Sequence, residues 1–358
     1  MTTPDSPEQL PRNAFGFAVV FVIALMGCLG AALAINVLGN GTNLFPSPFF
    51  PASTCIRAWK ARHLAQLAQK GEAPRVLVMG SSRVFALEER DVQAITGLTT
   101  FNFGVSVGCP VDFIAQLRFA VDVGVAPKIV VLGVDELSFG ENPEADHYDM
   151  QLVTDDRLFH QLALRDRIPI LAQAMKTVSL SSTIQSSRNL WHRLRSDGFL
   201  MNATEPPDSA LEGARPADWD GLSAQEQERR LAAGIDEKVA FWGRYLDRPD
   251  KVEGMRPTRR KLDLLEMFLD LAAARGTAVY VVLLPVHPEF ERRAFSPAIL
   301  EIRAQLGKDL AASCLKHGFV FRDYTDLDSF GGAAADFTDG THMNPRNGHR
   351  LLARLFDH

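Results

Sequence analysis

The hydrophobic pattern alternates between short apolar runs and longer segments with apolar residues at helical spacing. The apolar runs, typical of strands buried on both faces of a parallel sheet, cover residues 76–80, 99–103, 128–134, 278–284 and 319–321. The predicted helices cover residues 56–69, 86–95, 111–123, 261–275, 298–316 and 346–356. Strands separated by helices of this length predict an α/β fold with a three-layer, doubly wound parallel sheet.

The alternation stops in the middle of the chain. We interpret residues 140–256 as a helical insertion or cap, between a first part of the sheet domain at 75–139 and a second part at 257–358. Helical pieces are predicted at residues 158–176, 183–195 and 224–245. The insertion holds three of the four tryptophans, Trp191, Trp219 and Trp242. They either form the core of the cap or line a cleft over the sheet edge, where an aromatic ring can support a sugar ring or an acyl chain.

The N-terminal pattern is different, because residues 14–38 carry no charge. At about 1.5 Å per residue a helix of this length crosses a hydrocarbon core of about 30 Å. We expect an uncleaved transmembrane anchor at 14–38, after a cytoplasmic tail at 1–13 and before a connector and leading helix at 39–74. Two alternatives remain: a cleaved signal peptide, whose apolar region normally has about 7–15 residues, and lipoprotein cleavage at Cys28. The flanking positive charges do not decide the orientation.

Composition excludes several classes of protein. A hydrophobic share of 46% and a charged share of 23% are those of a globular protein. The net charge of −5 argues against nucleic-acid binding. The four cysteines lie far apart and the histidines have no metal-ligand spacing, so we expect neither a metal nor a cofactor. A Cys55–Cys109 disulfide is an open alternative in an oxidising compartment.

Two distant segments carry the candidate chemistry. Gly80, Ser81 and Ser82 follow the first predicted strand, so they place a hydroxyl at the carboxyl edge of the sheet, where ligands of open α/β sheets bind. Asp339 and His342 form an Asp-x-x-His pair before the last helix. A serine needs a base to act as a nucleophile, and the base needs an acidic partner. Ser82, His342 and Asp339 can fill these three roles.

The chain resembles the SGNH (GDSL-type) hydrolases, whose sequence blocks recur in order. Gly80-Ser81-Ser82 is similar to the first block, with Ser81 in place of its aspartate, and Gly104 is similar to the glycine of the second. Asp135 stands where the third block has asparagine, and Asp339-x-x-His342 is similar to the last. The resemblance implies a flavodoxin-like sheet and an oxyanion hole that includes the backbone N–H groups of Ser82 and Gly104.

Asp135 departs from the family pattern, because an ionised carboxylate cannot donate a hydrogen bond to an oxyanion. Three explanations are open. Asp135 is protonated, or Arg83 neutralises it, or Asn102 supplies the donor in its place; we favour pairing with Arg83. A fourth possibility is that the site is inactive.

Two other residues compete for a role at the site. Ser106, within Gly104-Val105-Ser106-Val107-Gly108, matches the nucleophile elbow of α/β-hydrolases. Only one strand precedes the strand that leads into it, however, and Pro110 interrupts the helix that should follow. His287 also lies after a strand and either borders the site or is structural. We therefore expect Ser82 to be the nucleophile.

The closer resemblance is to membrane-anchored proteins with Gly-Ser-Ser in the first block, which take part in acylation of envelope polymers. It implies a single-pass protein of the bacterial cytoplasmic (inner) membrane with its large domain periplasmic or extracellular. The expected activity is that of a serine esterase or O-acyltransferase on an acylated envelope glycan or exopolysaccharide, with a membrane-bound acyltransferase as a partner. The alternative is an inactive subunit that binds or scaffolds in a polysaccharide assembly or secretion complex.

Overall fold

The computed structural model describes residues 12–39, 56–141, 156–168, 183–184, 186–188, 190–191, 219–246 and 248–357. The α-helices with both ends within these ranges are α1 (Arg12–Gly39), α2 (Ile56–Gln69), α3 (Glu89–Thr96), α4 (Pro110–Asp122), α5 (Asp156–His160), α6 (Ala224–Leu246), α7 (Pro249–Gly254), α8 (Arg259–Ala274), α9 (Pro288–Ala294), α10 (Pro297–His317) and α11 (Pro345–Phe356). The strands are β1 (Val76–Gly80), β2 (Thr100–Asn102), β3 (Ile129–Val134), β4 (Ala278–Leu283) and β5 (Val320–Asp323).

The five strands form one parallel sheet in the order β2-β1-β3-β4-β5. Because successive side chains of a strand point to opposite faces, Leu77 and Met79 of β1 join one hydrophobic core and Val76 and Val78 join a second. Residues of α4 and α8 complete the first core, and residues of α11 complete the second. The prediction of an α/β fold with a parallel sheet is confirmed.

Most element boundaries lie within a few residues of the predicted ones. The largest difference follows β1, where the predicted helix at 86–95 begins only at Glu89. The preceding residues form a 3-10 helix, Ser82–Ala86, because the chain must first turn away from the sheet edge. In the predicted helix at 158–176, a break at 161–163 separates two helical pieces, and its part beyond residue 168 lies outside the described residues.

Helix α1 is long and apolar enough to cross a membrane, with a mean hydropathy of 2.7 over Gly16–Asn36. An anchor and a signal sequence share these properties, so the choice between them remains a prediction, as do the orientation and the domain bounds. Cys55 lies outside the described residues, and the Cys55–Cys109 disulfide is therefore untested. Cys109 contacts Asp112 Oδ2 through its Sγ, at 3.7 Å.

Candidate active site

The turn after β1 presents Ser82 at the carboxyl edge of the sheet. All five residues of β1 are buried. Gly80 then adopts φ +144, and a Cβ atom there would lie 2.1 Å from the carbonyl oxygen of Gly133 on the neighbouring strand. Only glycine allows the chain to turn this close to β3. Ser81 caps the 3-10 helix that comes next, so Ser82 becomes its first residue.

Ser82, His342 and Asp339 are joined by two hydrogen bonds. Ser82 Oγ lies 2.9 Å from His342 Nε2, and His342 Nδ1 lies 2.8 Å from Asp339 Oδ2. The other carboxylate oxygen of Asp339 accepts from the backbone N–H groups of Thr341 and His342, at 2.7 and 2.9 Å. The arrangement gives the serine a base and gives the base an acidic partner.

Asp339 is held in its ionised form. Burial alone would raise the pKa of its carboxyl group. The hydrogen bond from His342, followed by the charges of His342 and Lys238, outweighs burial and lowers the pKa well below its ordinary value. A carboxylate in this state can orient the imidazole and stabilise the imidazolium that forms when His342 takes a proton.

The turn that carries Asp339 and His342 is fixed from several sides. Phe337 and Met343 form an antiparallel bridge across it, and Thr338 N donates to His342 O at 2.9 Å. Asn344 caps the next helix, α11, through hydrogen bonds from two backbone N–H groups. His342 is 8% exposed, so the imidazole has little freedom to leave the serine.

Arg83 has a different main partner from the one predicted. Its guanidinium donates to both carboxylate oxygens of Glu136, at 2.6 and 3.2 Å, whereas its Nε lies 3.9 Å from Asp135 Oδ2. Burial alone would lower the pKa of Arg83, but the facing Glu136 and Asp135 raise it, so Arg83 remains charged. The bidentate pairing is possible because the residue after Asp135 is also acidic.

Asp135 is saturated with hydrogen bonds. Ser81 Oγ donates to its Oδ2 at 2.6 Å. Its Oδ1 accepts from the backbone N–H groups of Leu137 and Ser138 and from Ser138 Oγ, all within 3.1 Å. Ser81 and Asp135 are the two positions at which the chain departs from the SGNH block pattern described above, and their side chains contact each other directly.

Besides Ser82, Gly104 and Asn102 were predicted as oxyanion donors, and both donate to other groups of the chain. Gly104 N donates to Asn102 Oδ1 at 2.9 Å. Asn102 Nδ2 in turn donates to the carbonyl oxygens of Val84 and Leu87, at 2.9 and 3.2 Å. Neither Gly104 nor Asn102 lines the cavity around Ser82. The strand-end pattern could not reveal this, because it depends on where the 3-10 helix after Ser82 places its carbonyl groups.

The turn Ser106-Val107-Gly108 forms part of the cavity wall. Val107 has a φ of +50, a conformation unusual for a β-branched residue. At Gly108 a Cβ atom would lie 2.3 Å from Gly80 O, so the turn packs directly on the chain that carries Ser82. Ser106 lines the same cavity, but the Nε2 atom of His342 contacts Ser82.

A buried ion pair holds this turn. Arg57, at the start of α2, donates to both carboxylate oxygens of Asp112 at 2.6 and 2.8 Å, and also to the carbonyl oxygen of Ser106 at 3.1 Å. Both side chains of the pair are fully buried. Helix α2 therefore belongs to the support of the site, which the sequence pattern did not indicate.

Helix α6 covers the cavity from the middle part of the chain. Gly234 approaches Asp339 so closely that an added Cβ atom would lie 3.1 Å from Asp339 Cβ. Lys238 Nζ lies 3.6 Å from Asp339 Oδ2, and Phe241 and Trp242 line the cavity. The spacing of Gly234, Lys238 and Trp242 by four residues places them on one face of a helix, a signal that was present in the sequence.

The three tryptophans of the middle stretch have different surroundings. Trp242 lines the cavity, in agreement with one of the two alternatives. Trp219 is buried in the second core, and Trp191 is 56% exposed. The cavity beside Ser82 has a volume of about 180 Å³ and mixes polar and aromatic side chains.

His287 supports the site from outside. Its backbone N donates to Gly340 O at 3.0 Å, its Nδ1 accepts from Glu289 N at 3.1 Å, and its ring packs edge-on against Phe337. Burial lowers the pKa of His287. It does not line the cavity, and its contacts are those of a structural histidine. Within the described residues, no group of three His, Cys, Asp or Glu side chains is placed to bind a metal ion.

Comparison with known proteins gives only weak structural similarity. No protein-family model and no curated protein sequence matches the chain. Among solved structures, the chain is similar to the crystal structure of a Bacteroides fragilis protein provisionally described as an acylhydrolase, with a TM-score of 0.37 and 13% sequence identity. The match covers 81% of this chain and 91% of that one. A similarity this weak carries no functional conclusion, so the function is inferred from the side-chain geometry of this chain.

Proposed function

We propose that the protein is a serine esterase or O-acyltransferase. The observation that carries the proposal is the pair of hydrogen bonds, 2.9 and 2.8 Å long, that joins Ser82, His342 and Asp339 beside an open cavity. Ser82 comes from the end of β1 and the other two residues from a turn more than two hundred and fifty residues later. Such an arrangement is characteristic of acyl transfer through a covalent intermediate.

In the proposed reaction, Ser82 Oγ attacks the carbonyl carbon of an ester while His342 Nε2 accepts its proton. Asp339 stabilises the resulting imidazolium, which then protonates the leaving alcohol and leaves an acyl group on Ser82. A second attack, by water or by a sugar hydroxyl, releases the acyl group through the same steps in reverse. The same three residues serve hydrolysis and transfer equally well.

The oxyanion needs donors other than Gly104 and Asn102. The backbone N–H groups of Ser82 and Val107 have no hydrogen-bond acceptor in the described part of the chain, and both residues line the cavity. We assign the oxyanion hole to these two groups. The unusual backbone conformation of Val107 is then explained, because strained residues occur where a backbone group must face a ligand.

The finer identity rests on the resemblance to SGNH hydrolases. The strand order 2-1-3-4-5 is that of flavodoxin-like sheets, which supports it. Helix α1 is long and apolar enough for a membrane anchor. The position of the large domain outside the cytoplasmic membrane is implied by the resemblance alone. Trp242 and Phe241 offer aromatic surfaces to a sugar ring, so we propose an acylated envelope glycan or exopolysaccharide as substrate. A membrane-bound acyltransferase is the proposed partner.

Covalent labelling tests the nucleophile. A fluorophosphonate should modify Ser82 in the full-length protein, and the modified peptide should be identified by mass spectrometry. Ser82→Ala should abolish labelling, whereas Ser81→Ala and Ser106→Ala should retain it. Labelling that persists in Ser82→Ala, or that is absent from the folded wild-type protein, would contradict the proposal.

A second candidate is a non-catalytic subunit of a polysaccharide assembly or secretion complex. Asp135 favours it, because a carboxylate lines the cavity where the SGNH pattern has an oxyanion donor. In that case a membrane partner should co-purify equally well with wild type and with Ser82→Ala, and neither should hydrolyse an acyl ester. Ester hydrolysis by the wild-type protein that is lost in Ser82→Ala would exclude this candidate.

A further inference from the structure

The end of helix α1 contains a buried amide. Asn36 is the last residue of the apolar stretch Gly16–Asn36, and it is 4% exposed, whereas residues 16–31 are exposed. Its Nδ2 donates to Ala32 O at 2.8 Å and to Thr183 Oγ1 at 2.6 Å. Its Oδ1 accepts from Ser186 Oγ at 3.2 Å.

These contacts fix a distant part of the chain at one end of the apolar helix. An amide within a membrane-spanning helix is costly unless it is hydrogen-bonded, and here two of its partners, Thr183 and Ser186, lie 147 and 150 positions later. If α1 crosses a membrane, the end of its apolar stretch marks the boundary between hydrocarbon and headgroups. The segment that contains Thr183 and Ser186 must lie at the same depth.

The described residues of this segment, 183–184, 186–188 and 190–191, are helical and have two unlike faces. Thr183, Ser186 and Leu190 are buried or partly buried. The exposed positions are 184, 187, 188 and 191, and they hold Ile184, Ser187, Arg188 and Trp191. Ile184 is 47% exposed and Trp191 is 56% exposed.

An isoleucine, a tryptophan and an arginine on one helix face suit a bilayer surface. Tryptophan concentrates at the level of the headgroups, and arginine attracts anionic lipid. We propose that the helical residues 183–184, 186–188 and 190–191 lie on the membrane as an interfacial segment, that Ile184, Arg188 and Trp191 contact anionic phospholipid, and that Asn36 holds the segment at this depth. The proposal rests on α1 crossing a membrane and is independent of the esterase activity.

Depth-dependent quenching tests it on the full-length chain in vesicles of zwitterionic phospholipid with about one third anionic phospholipid. Ile184→Cys is labelled with an environment-sensitive fluorophore after Cys28→Ser and Cys55→Ser remove other reactive thiols. The matched control is Leu315→Cys on α10, an apolar position that is 82% exposed. A lipid carrying its quencher near the headgroup should quench the label at 184 about threefold more than the label at 315.

Two results would overturn the proposal. Equal quenching at positions 184 and 315 would show that the face does not meet lipid. Energy transfer between labels at 184 that rises with protein density, without lipid quenching, would assign the face to contacts between copies of the chain. The variant Asn36→Leu keeps α1 apolar but removes the hydrogen bonds to Thr183 and Ser186. It should lower the quenching at 184 towards the control, and unchanged quenching would refute the role of Asn36.

Discussion

Two polar clusters lie side by side at the carboxyl edge of the sheet. They differ in how many of their hydrogen-bonding groups already have a partner within the protein. The first cluster is Ser82, His342 and Asp339, in which two side-chain hydrogen bonds join the serine to the histidine and the histidine to the aspartate, and the serine faces a cavity. The second is Ser81, Arg83, Asp135 and Glu136, whose members are at most 5% exposed and mutually bonded.

The difference shows that neighbouring residues can have opposite tasks. Ser81 and Ser82 are adjacent, but the chain turns between them. The Ser81 hydroxyl therefore donates to Asp135, whereas the Ser82 hydroxyl lies within hydrogen-bond distance of His342. A saturated buried network is rigid and costly to break. The first cluster needs this rigidity, because a nucleophile and its base must keep hydrogen-bond distance during reaction.

The largest expected effect is that of Ser82→Ala on ester hydrolysis. We expect kcat to fall by about 10⁴-fold or more, because the attacking atom is removed. His342→Ala should have a similar effect, and the two losses should not add. Steady-state kinetics on a simple acyl ester measures this. The control Ser81→Ala should lose far less activity, and equal losses in the two serine variants would erase the distinction between the clusters.

Breaking the second cluster should destabilise the folded state. Arg83→Met leaves Glu136 and Asp135 buried without their cation, and we expect the free energy of unfolding to fall by about 3–5 kcal/mol. The double variant Arg83→Met/Glu136→Leu should recover much of this loss, since the closely paired Glu136 is also removed and Asp135 keeps its hydrogen bonds from Ser81, Leu137 and Ser138. Urea denaturation of the three proteins measures it. A double variant no more stable than the single one would contradict the pairing.

Asp135→Asn should raise activity. The asparagine carbonyl oxygen can still accept from Leu137 and Ser138, and its amide can donate to Ser81 Oγ, so the shape of the network is kept. A negative charge beside the developing oxyanion is lost, and we expect kcat/KM to increase about tenfold. Steady-state kinetics measures kcat/KM, and urea denaturation checks that the variant is as stable as the wild-type protein. A decrease would show that the carboxylate itself takes part in catalysis.

The smallest expected effect concerns Lys238. The folded-state pKa of Asp339 is lowered, so its contribution to stability is complete above the unfolded value of about 4 and is lost as pH falls through the folded value. Lys238→Met removes one of the lowering charges and should cost about 0.2–1 kcal/mol at pH 7. The cost should persist near pH 3, because the folded-state carboxyl of Asp339 is still ionised there.

Urea denaturation at the two pH values measures this cost. Lys308→Met, at an exposed position of α10, is the matched control and should cost less at both pH values. A cost for Lys238→Met that disappears at pH 3, or that does not exceed the cost for Lys308→Met, would contradict an interaction with an Asp339 carboxyl whose pKa is strongly lowered.

The sequence alone determined the parallel sheet and the three residues of the first cluster. Strand period and helix length fix which segments are buried, and parallel strands bring their carboxyl ends to one edge. Ser82, His342 and Asp339 were therefore predictable as neighbours without coordinates. Whether they catalyse ester chemistry stays a prediction that kinetic measurements on the serine and histidine variants decide.

Only the tertiary structure decided the partners within the site. Arg83 pairs with Glu136 rather than chiefly with Asp135, Asn102 donates to Val84 and Leu87, and helix α6 brings Lys238 and Trp242 over the cavity. These outcomes depend on side-chain direction and on how distant elements pack, differences of a few ångströms. Periodicity along the chain carries no information at that scale, because it specifies which face a residue occupies but not the atom that the residue meets there.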